Sequence, residues 1–148
     1  MSVPRRYLDT SALVKRYVIE AGSDYVTGIF RNAETRSDII CISRWNIGEA
    51  AVVFNKYQSK KKINAKERME LMLNELGRMK LNGGLTVEEV DERLIADSII
   101  LVLDYHLYIA DALQIASAKD SECEDFTSAD RYLCEVAEKN GLATHYLG

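Results

Sequence analysis

The chain has 148 residues, 47% hydrophobic and 28% charged, which fits one ordinary globular domain rather than two large ones. Lys and Arg number 19 against 23 Asp and Glu, and the formal net charge of −4 excludes a uniformly basic nucleic-acid binder. Eight Gly and one Pro exclude collagen-like and low-complexity disordered chains.

Charge is distributed unevenly along the chain. Residues 1–83 hold 15 Lys and Arg against 9 Asp and Glu, whereas residues 84–148 hold 4 against 14. The basic excess of the first part is compatible with a surface that faces a polyanion. It is equally compatible with solvated helix faces that have no such role.

The cysteines and the apolar runs indicate the cellular setting. Cys41, Cys123 and Cys134 are odd in number and have no CxxC spacing, which argues against a disulfide framework or a zinc knuckle. Apolar runs such as IILVL at 99–103 are far shorter than the ~20 residues that cross a bilayer. No apolar segment of signal-peptide length follows the two N-terminal arginines. We expect a soluble, cytoplasmic protein without a membrane segment.

The first elements alternate between strand and helix patterns. Residues 5–9 (RRYLD) predict a short buried strand, and the apolar spacing from Leu13 to Val18 predicts a helix after it. Ser23 is the predicted N-cap of a second helix. Residues 38–43 (DIICIS) predict the second strand.

Two longer helices are predicted next. Ser43 is the predicted N-cap of a helix over 44–58, in which Trp45 is expected in the core or at a dimer interface. Gly48 within that helix suggests a close approach of another segment. Asn64 predicts the start of the following helix, and Asn-Gly-Gly at 82–84 predicts its end.

The remaining elements continue the alternation. They are predicted as a strand over 85–90, a helix capped by Asp91, a helix over 110–119, a short strand around Phe126, a helix from about 130 to 140 and a strand over 142–147. Strands that alternate with longer helices imply right-handed crossovers and a parallel sheet covered on both faces. No linker or repeat interrupts the pattern, so we expect one domain over 1–148.

Two acids directly follow predicted strands, where functional groups collect in parallel α/β sheets. Asp9 follows the first strand, and Asp130 follows the short strand near Phe126. Hydroxyl residues accompany them: Thr10 and Ser11 follow Asp9, and Ser128 precedes Asp130. Each acid taken alone is also a good helix N-cap, so the pair at equivalent strand ends carries the functional hypothesis.

Two further acids lie in apolar surroundings. Glu49 is embedded in IGEAAVVF and Asp111 in YIADALQIASA. A carboxylate in such a setting must be paired, protonated or bound to a metal, although Glu49 also suits a polar helix face and Asp111 the first turn of a helix. Four carboxylates together would favour an oxygen-ligated Mg²⁺ or Mn²⁺ ion.

The order and local setting of YLDTSALVKRY, IGEAA, ADALQIASA and TSADRYL resemble the PIN-domain ribonucleases, most closely the VapC-type toxins of VapBC systems. The resemblance implies a three-layer α/β/α sandwich with a five-stranded, mainly parallel sheet. It implies a metal-dependent endoribonuclease that prefers single strands and leaves 5′-phosphate and 3′-hydroxyl ends. It further implies a homodimer inhibited by a VapB-type antitoxin.

The resemblance also assigns residues one by one. Asp9, Glu49, Asp111 and Asp130 match the family's four catalytic and metal-binding acids, and Thr10, Ser11 and Ser128 match its supporting hydroxyl positions. The apolar lead-in DYHLYIA before Asp111 departs from the polar or Pro-containing segment that the family would suggest.

Basic residues of the first part are candidates to contact the RNA backbone, with solvated surface residues as the alternative reading. They are Lys15, Arg16, Arg44, Lys56, Lys60, Lys61 and Lys62.

Two other functions compete with the nuclease. A catalytically silent PIN-like RNA-binding or scaffold module would have no need of four carboxylates. A phosphoacceptor receiver domain shares the acidic strand end, but the last strand, LATHYLG, has no lysine, and the paired acids of a receiver's first site are missing.

Overall fold

The computed structural model describes residues 2–148 and contains a sheet of five strands in which all four pairings are parallel. The spatial order is β3-β2-β1-β4-β5. The strands are β1 (Arg5–Leu8), β2 (Ile39–Ser43), β3 (Leu85–Glu88), β4 (Asp125–Ser128) and β5 (Ala143–Tyr146). All five lie where the sequence predicts them, and the expected α/β sandwich is confirmed.

Within residues 2–148, seven α-helices connect the strands. They are α1 (Thr10–Leu13), α2 (Ser23–Glu34), α3 (Arg44–Lys60), α4 (Ala65–Asn82), α5 (Glu92–Tyr105), α6 (Ile109–Asp120) and α7 (Arg131–Lys139). The first predicted helix is one α-helical turn that continues as a 3₁₀ turn over Val14–Arg16. No single helix within residues 2–148 is long and apolar enough to cross a membrane; α5 and α6 pass that test only as a pair, with a bend of 119° between them.

Side-chain alternation along the strands divides the core into two layers. Leu8 and Ile40 face the layer of α1 to α4, whereas Tyr7, Cys41 and Phe126 face the layer of α5 to α7. The rings of Tyr7 and Phe126 stack across β1 and β4 with centroids 5.5 Å apart. Burial on both faces explains why the strands read as apolar runs rather than as alternating ones.

The strand order creates a crevice between β1 and β4. The chain leaves β1 towards β2 on one side of the sheet and leaves β4 towards β5 on the other. Loops that diverge from neighbouring strands leave an opening at the carboxyl ends of those strands. Asp9 follows β1 and Asp130 follows β4, so both acids lie at this opening.

At the opposite, amino end of the same strands, one arginine side chain pairs with two carboxylates. The Arg6 guanidinium on β1 pairs with Asp38, at 2.8 Å, and with Asp125 on β4. Asp38 is 3% exposed. Its contact with Arg6 joins β1 to the segment that enters β2, and the contact with Asp125 joins β1 to β4.

Two local predictions are wrong, and a third is wrong in part. Gly22, with a φ of 92°, is the N-cap of α2, while Ser23 is its first residue and accepts a hydrogen bond from the Glu20 amide at 3.0 Å. Trp45 is 48% exposed, which excludes the core but not the dimer interface that was the other predicted location. A Cβ placed on Gly48 would meet nothing within 4 Å, so no segment approaches closely there.

The predicted end of α4 depends on two adjacent glycines. Gly83 adopts a φ of 88° and closes the helix, a conformation that L side chains rarely adopt. A Cβ on Gly84 would lie 2.4 Å from the Ala33 carbonyl oxygen at the end of α2. Gly84 therefore allows α2 and the start of β3 to approach each other.

We expect Gly84→Ala to lower the free energy of unfolding by about 1–3 kcal/mol, because the added methyl group forces a backbone oxygen to move. Urea titration measures the change. Gly77→Ala is the matched control, because a Cβ added at this position in α4 has no neighbour within 4 Å. Removal of a helical glycine stabilises a protein by about 0.5–1 kcal/mol. Equal effects of the two substitutions would contradict this account.

Candidate functional site

The Asp9 carboxylate is held by donors from two strand ends. Asp9 caps α1, and its Oδ1 accepts hydrogen bonds from the Ser11 hydroxyl at 2.7 Å and the Ala12 amide at 3.0 Å. Its Oδ2 accepts from the Ser128 hydroxyl, at the end of β4, at 2.5 Å. The capping role and the position at the crevice therefore coexist in one residue.

The environment of Asp9 disfavours its charge. The residue is 5% exposed, and burial raises its pKa to about 6 against the lowering effect of the three hydrogen bonds. The negative charge of Asp111 adds to the rise. A positive charge in the crevice would stabilise the ionised form.

Serine hydroxyls bind the two strand ends together. The Ser128 hydroxyl donates to Asp9 and accepts from the Asp130 amide at 3.0 Å. The Ser11 hydroxyl donates to Asp9 and accepts from the Ala129 amide at 2.9 Å. Each serine is therefore both donor and acceptor, which fixes the Asp9 side chain relative to β4.

Glu49 is brought to the crevice by α3. Its half-buried carboxylate accepts a hydrogen bond of 2.6 Å from the Thr10 hydroxyl, on the residue after Asp9. Thr10 thus supports the second acid rather than the first.

Asn46 connects the helix that carries Glu49 with the strand that carries Asp9. It is fully buried in the first turn of α3, and its amide donates to the Leu8 carbonyl at 2.8 Å. Sequence reasoning missed this residue. The signal was a polar amide three residues before Glu49 on a helix face that packs against the sheet.

Asp111 and Asp130 complete the group from the other layer. Asp111 lies half-buried in the first turn of α6, and burial raises its pKa, with the charges of Asp130 and Glu49 adding to the rise. Asp130 is exposed and caps α7 by accepting from the Leu133 amide at 3.1 Å. The charge of Asp111 is therefore within electrostatic reach of each of the other three predicted acids.

The donor types suit a hard divalent cation. All four acids offer carboxylate oxygens, and burial raises the pKa values of Asp9 and Asp111, with a further rise from neighbouring acidic charges. Within residues 2–148, however, no group of three or more His, Cys, Asp or Glu side chains is arranged to hold a metal ion. The carboxylates would therefore have to draw together around a cation.

Four of the seven predicted RNA-contacting cations already have carboxylate partners. Lys15 is buried and pairs with Glu20 at 2.9 Å, and Lys61 pairs with the same carboxylate at 3.2 Å. Arg16 makes two hydrogen bonds to Glu75, at 3.0 and 2.9 Å.

Arg44 likewise makes two hydrogen bonds to Glu89, at 3.1 and 2.7 Å. Lys56, Lys60 and Lys62 are exposed and take part in no ion pair within the described part of the chain. The three free ammonium groups lie at the end of α3 and in the turn after it.

Comparison with protein families finds a match over most of the chain. A sequence model described as the PIN domain matches residues 6–139, which span every element from β1 to α7. Comparison with curated protein sequences finds no match.

Solved structures share the fold along nearly the whole chain. VapC20 from Mycobacterium tuberculosis, described as a toxin that cleaves the sarcin–ricin loop, is 13% identical, with a TM-score of 0.67 over 93% of this chain and 96% of its own. VapBC2 from Rickettsia felis, bound to a DNA fragment from its promoter, is 13% identical, with a TM-score of 0.62 over 97% and 99%. FitAcB from Neisseria gonorrhoeae is 14% identical, with a TM-score of 0.60 over 94% and 95%. At these identities the likeness shows the fold alone.

The raised pKa of Asp9 predicts a pH dependence of stability in the metal-free protein. Between about pH 4 and pH 6 the folded chain binds more protons at Asp9 than the unfolded chain, so the contribution of Asp9 to the free energy of unfolding falls as pH rises. The total loss is up to about 3 kcal/mol, at about 1.4 kcal/mol per pKa unit.

Urea titrations of the wild type and of Asp9→Asn in the presence of a chelator measure this contribution as their difference at each pH. Asp104→Asn, an exposed acid near the end of α5, is the control and should keep the wild-type slope. A difference that is constant from pH 4 to pH 7 would refute the assigned ionisation.

Proposed function

The chain belongs to the PIN domain family, and from that premise we propose that it is a metal-dependent endoribonuclease that prefers single strands and hydrolyses RNA phosphodiester bonds as the toxin of a type II toxin–antitoxin pair. The observation that carries the proposal is the buried Asp9 carboxylate at the β1–β4 crevice together with Asp111, because burial raises the pKa of both and the charges of Asp111, Asp130 and Glu49 add to those rises. A domain that only bound RNA would gain nothing from such repulsion.

The acids divide into roles by position. Asp9, Glu49 and Asp111 would hold Mg²⁺ or Mn²⁺, and Asp130 would act as a further ligand or hold the site in shape. When bound, the ion would lower the pKa of a water molecule and neutralise charge that develops on the phosphate.

The chain's own groups would orient the site before substrate arrives. Ser11, Ser128 and the Ala12 amide hold both oxygens of Asp9, which restricts the rotation of its side chain. The N-termini of α6 and α7 also lie at this crevice, because Asp111 is in the first turn of α6 and Asp130 caps α7. Their positive ends would favour the acids and an incoming phosphate alike.

The free lysines would contact the RNA outside the acidic centre. Lys56, Lys60 and Lys62 have no carboxylate partners within residues 2–148, so an RNA phosphate competes only with solvent for them. The ion-paired cations, Arg16 among them, would have to exchange a carboxylate for a phosphate. We therefore assign the stronger backbone contacts to the three free lysines.

The exposed apolar residues support two kinds of protein partner. Trp45 and Val52 are 48% and 56% exposed and line a depression beside Glu49, which a VapB-type antitoxin would cover to inhibit the enzyme. Ile100 and Leu103, 57% and 70% exposed on α5, would form the homodimer contact. Toxin–antitoxin pairs with this fold from Rickettsia felis and Neisseria gonorrhoeae favour the antitoxin proposal. Such a pair would operate in the cytoplasm.

Single-stranded RNA incubated with the protein tests the reaction. We expect cleavage with Mg²⁺ or Mn²⁺, none with EDTA, and a loss of at least about 100-fold in Asp9→Asn, because the central ligand is removed. Asp104→Asn should cleave like the wild type. Cleavage that survives EDTA or Asp9→Asn would contradict the metal-site assignment.

Thermal unfolding with added Mn²⁺ tests metal binding without reference to activity. Binding to the folded state alone stabilises by about 2.7 kcal/mol at a hundredfold excess over Kd, so the Tm should rise with Mn²⁺ concentration. Glu49→Gln should weaken the rise, while Glu67→Gln, on the exposed first turn of α4, should leave it intact. Mn²⁺ stabilisation without RNA cleavage would favour the alternative, a catalytically silent PIN-like RNA-binding or scaffold module.

A further inference from the structure

One large aromatic side chain lies exposed beside the acidic crevice without a partner. Trp45 is the only tryptophan of the chain, and it lies in the first turn of α3. Its indole ring is 48% exposed and stacks on no other aromatic ring and on no guanidinium within residues 2–148. The ring therefore keeps a face that can bury apolar area against a ligand.

The depression beside Trp45 is continuous with the acidic crevice. It has a volume of about 450 Å³ and is lined by Arg44, Trp45, Gly48, Glu49, Val52 and Val90. Glu49 is one of the four acids, and its carboxylate accepts a hydrogen bond of 2.6 Å from Thr10, the residue after Asp9. A ligand in the depression therefore lies next to a group of the proposed reaction site.

The depression is open because α3 carries a glycine there. Trp45, Gly48 and Val52 follow one another at spacings of three and four residues, which places them on one face of the helix. A Cβ added at Gly48 would meet nothing within 4 Å. The space beside the indole ring is therefore free for a planar group.

The chemistry of the lining fits a nucleobase. Arg44 and Glu49 are the only charged residues among the six, and the other four provide an aromatic ring, two aliphatic side chains and a glycine. Proteins recognise single-stranded RNA by stacking its splayed bases on aromatic side chains. The volume also lies within the range of small-ligand sites.

Arg44 adds a contact for the phosphate of the same nucleotide. Its guanidinium pairs with Glu89 at 2.7 Å, and the two side chains are 47% and 65% exposed. An ion pair between exposed side chains contributes little to stability. An RNA phosphate can therefore replace the Glu89 carboxylate at Arg44.

We propose that the depression at Trp45 is a subsite for one unstacked base of a single-stranded RNA substrate, so that Trp45 is a specificity-determining residue. The inference rests on the proposed nuclease function and adds the nucleotide that the enzyme holds beside Glu49. Because stacking holds the base, purines should bind more tightly than pyrimidines, since their larger rings bury more apolar area. A VapB-type antitoxin that covers this depression would compete with the base directly.

The fluorescence of the full-length protein reports on the subsite, because Trp45 is its only tryptophan. Oligoadenylate should quench this fluorescence, oligouridylate of equal length should quench it less, and inorganic polyphosphate, which has no bases, should not quench it. The signal is read on mixing, with Mg²⁺ and with EDTA, so that it does not depend on cleavage. Equal quenching by polyphosphate, or no quenching by either RNA in both solutions, would overturn the proposal.

Two substitutions test the subsite through substrate affinity. Trp45→Ala should raise the KM for oligoadenylate about 5- to 150-fold with little change in kcat, because a stacked base contributes uniform binding. Gly48→Leu favours the helix and fills part of the depression, so it should weaken the quenching of Trp45 by oligoadenylate. Leu81→Ala, at a 92% exposed position near the end of α4, is the control and should match the wild type.

The outcomes separate this inference from the nuclease function. Quenching by bases without any cleavage would support the subsite and contradict only the nuclease proposal. Cleavage without quenching, with an unchanged KM in Trp45→Ala, would contradict only the subsite. A wild-type dimer that Trp45→Ala dissociates in sedimentation while the KM stays unchanged would assign Trp45 to a contact between two copies and also overturn the proposal.

Discussion

The buried carboxylate of Asp9 is the constraint on which the carboxyl end of this fold depends. A negative charge that is 5% exposed requires donors, and the chain supplies them from the turn after β1 and from the end of β4. Those donors compensate the charge only in part, because the pKa remains raised. The negative charge of the neighbouring Asp111 raises the pKa of Asp9 further. The negative charge of the crevice is therefore only partly compensated within the protein. Hydrogen bonds hold the acids in place despite their repulsion.

Topology explains why these groups meet although they are far apart in sequence. The crossover from β3 passes over the sheet to β4, which places β4 beside β1 and brings Ser128 to Asp9. The helices on one layer deliver Glu49, and those on the other deliver Asp111. Asn46 and Thr10 then link α3 to the end of β1 through direct hydrogen bonds.

Much of this arrangement is predictable from local sequence patterns, because strand ends, helix caps and acids in apolar stretches have short-range signals. The five strands and the caps at Ser43, Asn64 and Asp91 were found in that way. Features set by long-range partners were not. The carboxylates that pair with Arg16 and Arg44 lie 59 and 45 residues away in the sequence, and no local pattern announces them. Trp45 was expected in the core or at a dimer interface, and the core placement is excluded because its side chain is 48% exposed in the folded chain.

The ion pairs of Arg6 neutralise acids at the amino end of the sheet only, so the two ends of the sheet differ in how their acidic charge is compensated. At the amino end, carboxylates from the segments entering β2 and β4 share a cation that is covalently part of the chain. At the carboxyl end, the four acids of the crevice form no ion pair with any Lys or Arg side chain of residues 2–148. The first arrangement is complete as soon as the chain folds, whereas the second would be neutralised only by a cation from solution. The positive charge at the amino end of the sheet is thus permanent, whereas a cation at the carboxyl end would exchange with solution. The supply of small cations in the cell would then act on the carboxyl end without disturbing the ion pairs of Arg6.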